Sequence, residues 1–83
     1  MAEKFEIGQK EEHSMLVDYN IISKRIKIEL DGQTQVNEFH PSPFAKKFHF
    51  AVGTSEIHKV EVSVGPFSTK VLVDGQPAQP HLL

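Results

Sequence analysis

The feature that most limits how this chain can fold is a repeat at a fixed offset. Residues 5–17, Phe-Glu-Ile-Gly-Gln-Lys-Glu-Glu-His-Ser-Met-Leu-Val, overlay residues 50–62, Phe-Ala-Val-Gly-Thr-Ser-Glu-Ile-His-Lys-Val-Glu-Val, at a constant shift of 45. Identical residues coincide at Phe5/Phe50, Gly8/Gly53, Glu11/Glu56, His13/His58 and Val17/Val62. Each copy runs on to Asp31-Gly32-Gln33 or Asp74-Gly75-Gln76, where the shift has dropped to 43, so the second copy has lost two residues in the intervening loop. A period of this length marks a duplicated supersecondary unit, and one such unit cannot bury its apolar face alone. Unit one covers about residues 3–38, unit two about 46–76, and residues 77–83 form a tail. With 83 residues in all, the two units must share one core in one domain.

Each unit carries three strand signals. The first is a short run ending at glycine, residues 4–7 and 47–52, in which Phe5 and Ile7, or Phe48, Phe50 and Val52, share a face. Gly8 and Gly53 follow at turn positions where positive φ carries no Cβ penalty. The second strand spans residues 13–19 and 58–64, with Met15, Val17 and Tyr19, or Val60, Val62 and Val64, on the dry face. The third spans 25–30 and 69–73, where Ile26, Ile28 and Leu30 alternate with Arg25, Lys27 and Glu29. Asp-Gly then signals a hairpin. It predicts a fourth strand over 33–39, polar enough for a sheet edge. Pro77 and Pro80 argue that the tail frays instead. No window sustains helical periodicity. The predicted fold is all-β, an antiparallel β-sandwich of about seven or eight strands built from two tandem three-to-four-strand units.

Composition enters mainly to exclude. The formal net charge is −2, and Lys24-Arg25-Lys27 and Lys46-Lys47 read as solvated strand faces, so neither nucleic acid nor a membrane is an expected partner. No apolar run approaches the roughly 20 residues that span a bilayer. Cysteine is absent and no apolar signal core follows the N-terminus, which predicts a cytoplasmic protein. There is no tryptophan and one tyrosine, so phenylalanine and aliphatic residues must build the core.

The repeated Glu-x-His is the sharpest chemical candidate. Glu11 and His13, like Glu56 and His58, stand two apart, so in extended chain each pair shares a strand face with the apolar residues. Were the units related by a twofold axis, two imidazoles and two carboxylates could converge, and four such ligands would close a structural zinc site; otherwise no cofactor is expected. The competing reading is structural: each histidine caps the rim of the core and its glutamate satisfies a ring nitrogen. His40, His49 and His81 are scattered and read as solvated. No phosphate-binding glycine loop and no nucleophile–histidine–acid set can be assembled, and the turn accounts for Asp31 and Asp74. An enzyme is not expected.

One stretch resembles a known family. Val17-Asp18-Tyr19 followed by residues 23–32, Ser-Lys-Arg-Ile-Lys-Ile-Glu-Leu-Asp-Gly, resembles the strand–turn–strand of the Fas apoptotic inhibitory molecule family. Residues 48–53, Phe-His-Phe-Ala-Val-Gly, resemble its phenylalanine strand ending in Val-Gly, and residues 60–75 keep the same rhythm. The chain is also similar to short uncharacterised microbial proteins built from F-x-V-G-x-x-E-x-H-x-V repeats. The resemblance implies an antiparallel β-sandwich serving as a non-enzymatic interaction module. This chain departs from it by lacking the family's tryptophan and by its Glu-x-His pairs.

The functional expectation is therefore a protein-interaction or binding module, with a metal-binding domain as the alternative. A protein or peptide is the expected partner, and open sheet edges also suit a homodimer. Phe44 and Phe67, in predicted loops beside prolines, are the candidate anchors, with folding back over the sandwich end as the competing fate.

Overall fold

Strict alternation at residues 58–64 leaves one wet and one dry face, and the whole chain is built on that rule. The computed structural model describes residues 2–80, which form eight strands. Strands β1 (Ala2–Ile7), β2 (His13–Asn20), β3 (Arg25–Leu30) and β4 (Gln33–Phe39) make one sheet in the order β1-β2-β3-β4. Strands β5 (Lys46–Val52), β6 (His58–Val64), β7 (Thr69–Val73) and β8 (Gln76–Pro77) make the second, in the order β5-β6-β7-β8. Every neighbouring pair is antiparallel, so each repeat unit is a complete meander. The described residues contain no helix, and hence none long and apolar enough to cross a membrane.

The dry faces of both sheets meet in one core. Phe5, Ile7, Met15, Val17, Tyr19, Ile26 and Ile28 come from the first sheet, and Val52, Val60, Val62, Val64 and Val71 from the second. Each such side chain contributes roughly 1.5–3 kcal/mol by leaving water. No polar or charged side chain is buried among the described residues. The core is aliphatic apart from Phe5 and Tyr19, and its boundary is where the chemistry lies.

Register locates the two lost residues. Val17 pairs with Ile28 and Val62 with Val71, yet the connections, residues 21–24 and 65–68, are equally long, so the shortening expected in the loop falls instead on the strand ends: β2 and β3 have 8 and 6 residues where β6 and β7 have 7 and 5. Asn20 supports the β2–β3 connection, its Oδ1 accepting from the amides of Ile22 (2.9 Å) and Ser23 (3.1 Å). The β3–β4 and β7–β8 turns place Asp31 and Gly32, and Asp74 and Gly75, at positive φ. That is the type I′ geometry that Asp-Gly supplies.

β4 lies at a sheet edge, as its polarity predicts. Its pairing slips between Ile28 and Glu29, leaving Gln35 as the extra residue of a β-bulge, which twists the edge away from further pairing. The tail corrects the sequence reading. Gln76 and Pro77 pair with Val73 and Leu72, and the Ala78 amide donates to the Val71 carbonyl (2.8 Å). Proline is tolerated there because β8 is the outermost strand and needs no donor on its open side.

The strand directions give the sandwich two unlike ends. One carries the β1–β2 and β5–β6 loops together with both Asp-Gly turns; it is the histidine end. The other carries the β2–β3 and β6–β7 connections and the residue 40–45 linker; it is the linker end. There the His40 amide donates to the Lys24 carbonyl (2.7 Å) and Tyr19 Oη–H to the His40 carbonyl (3.3 Å), holding the linker against the first sheet.

Candidate functional site

At the histidine end the meander does something that linear spacing hides. β3 is antiparallel to β2, so its closing turn returns beside the first residue of β2. Asp31 Oδ1 accepts from the Ser14 amide (2.9 Å), and its Oδ2 accepts from His13 Nδ1–H (2.5 Å). On the other side of the ring, His13 Nε2–H donates to Glu11 Oε2 (2.6 Å). Unit two repeats the set: Asp74 accepts from the Lys59 amide (2.9 Å) and from His58 Nδ1–H (2.5 Å), and His58 Nε2–H donates to Glu56 Oε1 (2.8 Å). Two carboxylate acceptors facing the two nitrogens favour a proton on both, the imidazolium form of each ring.

The glutamates also reach across to the other unit. Glu11 accepts from the amides of Thr54 (2.7 Å) and Ser55 (2.9 Å) and from both hydroxyls, Thr54 Oγ1–H (3.0 Å) and Ser55 Oγ–H (2.8 Å). Glu56 reciprocates on the amides of Gln9 (2.8 Å) and Lys10 (3.1 Å). Each loop is therefore held by the carboxylate of its counterpart. Gly8 and Gly53 make this exchange sterically feasible. Their φ values are +93° and +108°, and a Cβ at either would strike the backbone carbonyl of Glu11 or Glu56 in its own loop.

The electrostatics follow from these contacts. The hydrogen bond from His13, then the Ser55 and Thr54 donors, hold the Glu11 carboxyl far below the usual carboxylate range. Glu56, with fewer donors, is lowered to about 2, first by His58 and then by the Gln9 and Lys10 amides. Asp31 and Asp74 are lowered chiefly by His13 and His58. His13 is raised by Asp31 and then Glu11, and His58 by Glu56 and then Asp74. The two imidazoles are only 19% and 21% exposed, so this charge sits at the rim of the core. A groove of about 440 Å³ passes the second centre, between Gln9, Glu56, His58, Asp74 and Pro77.

Of the four residues singled out from sequence, the structure joins Glu11 to His13 and Glu56 to His58. Among the described residues no hydrogen bond or ion pair links one imidazole to the other centre. A zinc ion would have to displace a proton and a carboxylate from a ring to find a lone pair. No group of three or more histidine, cysteine, aspartate or glutamate side chains among the described residues is arranged to hold a metal ion. The Thr54 and Ser55 hydroxyls donate to the Glu11 carboxylate and, among the described residues, not to an imidazole.

Sequence reasoning assigns Asp31 and Asp74 to their turns alone and misses their bonds to the imidazoles. The available signal was that Asp-Gly recurs with the Glu-x-His, one strand and one turn away. His40 Nε2–H donates to the Phe44 carbonyl (2.6 Å), His49 meets Glu61 at 3.0 Å, and His81 lies outside the described residues. Phe44 and Phe67 do not fold back: they are 77% and 86% exposed.

Fold and site together define a class of protein, a tandem β-meander sandwich with two reciprocally locked carboxylate–imidazolium–carboxylate centres. Comparison of the chain with protein-family models, with curated proteins and with solved structures returned no match.

Proposed function

We propose that the chain is a non-enzymatic binding module that engages its partner through the linker end. One observation carries this reading. Among the described residues six large apolar side chains are mostly exposed, and five of them, Ile21, Ile22, Phe39, Phe44 and Phe67, stand at that end; Ile57 alone stands at the other. A concentration of apolar side chains in water marks an interaction site, whereas scattered single ones do not. The histidine end supports the same division of labour. Its two carboxylate–histidine–carboxylate centres bond to one another's loops and to backbone amides, which supports a structural role for that end.

The test is the double substitution Phe44→Ser with Phe67→Ser. Because both side chains are exposed, stability should change by less than about 0.5 kcal/mol in a denaturant titration. Retention of the native protein on a phenyl-substituted matrix should fall sharply in the variant. A loss of several kcal/mol, or unchanged retention, would return the two phenylalanines to a structural role.

A further inference from the structure

The net charge of −2 conceals a strong asymmetry. Dividing the sandwich across the middle of β2 and β6 puts Lys24, Arg25, Lys27, Lys46, Lys47 and Lys70 in the linker half, with only Glu3, Asp18 and Glu38 as acids. The histidine half holds the other three cations against the other eight acids. The sandwich is thus basic at its apolar end and acidic at the opposite one. Lys46 is neutralised by Glu38 at 2.7 Å, while Lys24, Arg25, Lys47 and Lys70 flank the exposed phenylalanines and isoleucines with no carboxylate partner among the described residues. Among the described residues Arg25 has a neutral hydrogen-bond partner, Asn37 Oδ1 at 3.3 Å.

We propose that the linker end docks on an anionic lipid surface, with Ile21, Ile22, Phe44 and Phe67 entering the interface and the flanking cations meeting the headgroup phosphates and carboxylates. This extension rests on the binding-module reading above. Three observations select a lipid surface over other occupants. The apolar side chains project from three separate connections, 21–24, 40–45 and 65–68, so they form prongs and not the continuous wall a helix or strand would need. A fluid interface accepts such prongs wherever they fall, and gains from each apolar group and each cation independently. A second copy docked tip to tip would set basic ends against each other. The acidic end, repelled by the same surface, orients the long direction of the strands outward and brings the tip down first.

The experiment is co-sedimentation of the full chain with vesicles of phosphatidylcholine, with and without about one-third phosphatidylserine, at low and high salt. The native protein should sediment with the anionic vesicles at low salt and remain in solution with the neutral ones. Partition should fall at least about tenfold when salt rises from about 0.05 to about 0.5 M. Lys24→Ala and Lys47→Ala should each weaken it by about fivefold. Lys10→Ala with Lys59→Ala, at the acidic end, should leave it unchanged, and Phe44→Ser with Phe67→Ser should abolish it. Equal partition onto both vesicle types, or an equal effect of the two lysine sets, overturns the proposal. Failure to sediment with anionic vesicles also overturns it. If phenyl-matrix retention persists in that case, the binding-module reading survives and the occupant becomes an acidic protein surface; if retention is absent too, both readings fall.

Discussion

His13 and His58 do the work that an ordinary core-rim residue would leave to water. Each turns a surface charge into a tie between its own glutamate and its own turn aspartate. The folded state therefore favours the protonated ring, above the ordinary imidazole value of 6.5. That stabilisation is complete below pH 6.5 and is lost as pH rises through the raised folded values. The carboxylates run the other way. Theirs is complete above the ordinary 4.5 of glutamate and 3.8 of aspartate, and is lost as pH falls through the lowered folded values, about 2 for Glu56. The melting temperature should therefore be level between about pH 4.5 and 6.5 and decline on both sides. Differential scanning calorimetry across that range checks it, and His13→Gln with His58→Gln should flatten the alkaline limb. An alkaline limb equally steep in the variant would mean the decline has another source. Because both ring nitrogens are already donating, stoichiometric zinc should leave the melting temperature unchanged at neutral pH. A rise would restore Glu11, His13, Glu56 and His58 as ligands.

Among the elements, the two loops between first and second strands are the most demanding. Gly8 and Gly53 combine positive φ with a Cβ position already filled by a carbonyl, whereas Gly32 and Gly75 have positive φ and open space. Gly53→Ala should thus cost clearly more than about 2 kcal/mol, and Gly75→Ala only about 1–2 kcal/mol from backbone strain alone. Urea titration of the pair compares them; equal costs would show that the loop yields and that the close approach of the carbonyl carries no energy. These loops also show how far a sequence can be read. β2, β3, β5, β6 and β7 were legible because apolar residues recur at period two on one face, β4 because an Asp-Gly precedes it, and the Asp-Gly turns because few dipeptides tolerate two consecutive positive φ values. β8 was not, since its prolines exclude a central strand but say nothing against an outermost one. The Glu-x-His pairs stood out, yet their partners did not. Four of those partners are the main-chain amides of Gln9, Lys10, Thr54 and Ser55, and an amide leaves no mark on residue identity.

For the whole molecule, the two units are interdependent twice over. The core draws on both sheets, and each glutamate serves the loop of the other unit. Fragments 1–44 and 45–83 should each lack a cooperative thermal transition by circular dichroism, and an equimolar mixture should regain one. Cooperative melting of either fragment alone would show that a single meander suffices. The segregation of charge and apolar surface belongs to this scale as well. It was illegible in the sequence because basic and acidic residues are interspersed along the chain, and the meander gathers them at opposite ends.

The reciprocal glutamates have a further consequence, for the units make all of these contacts through residues that another molecule also possesses. Straightening the residue 40–45 linker would let the first half of one molecule clasp the second half of its neighbour, with every loop, turn and carboxylate bond preserved. Exchange of halves between molecules then costs only the linker's own ties, the His40 and Tyr19 hydrogen bonds among them. What keeps the chain closed on itself is the high effective concentration of its own other half, so concentrated protein cooled from the unfolded state is where interlocked dimers would form.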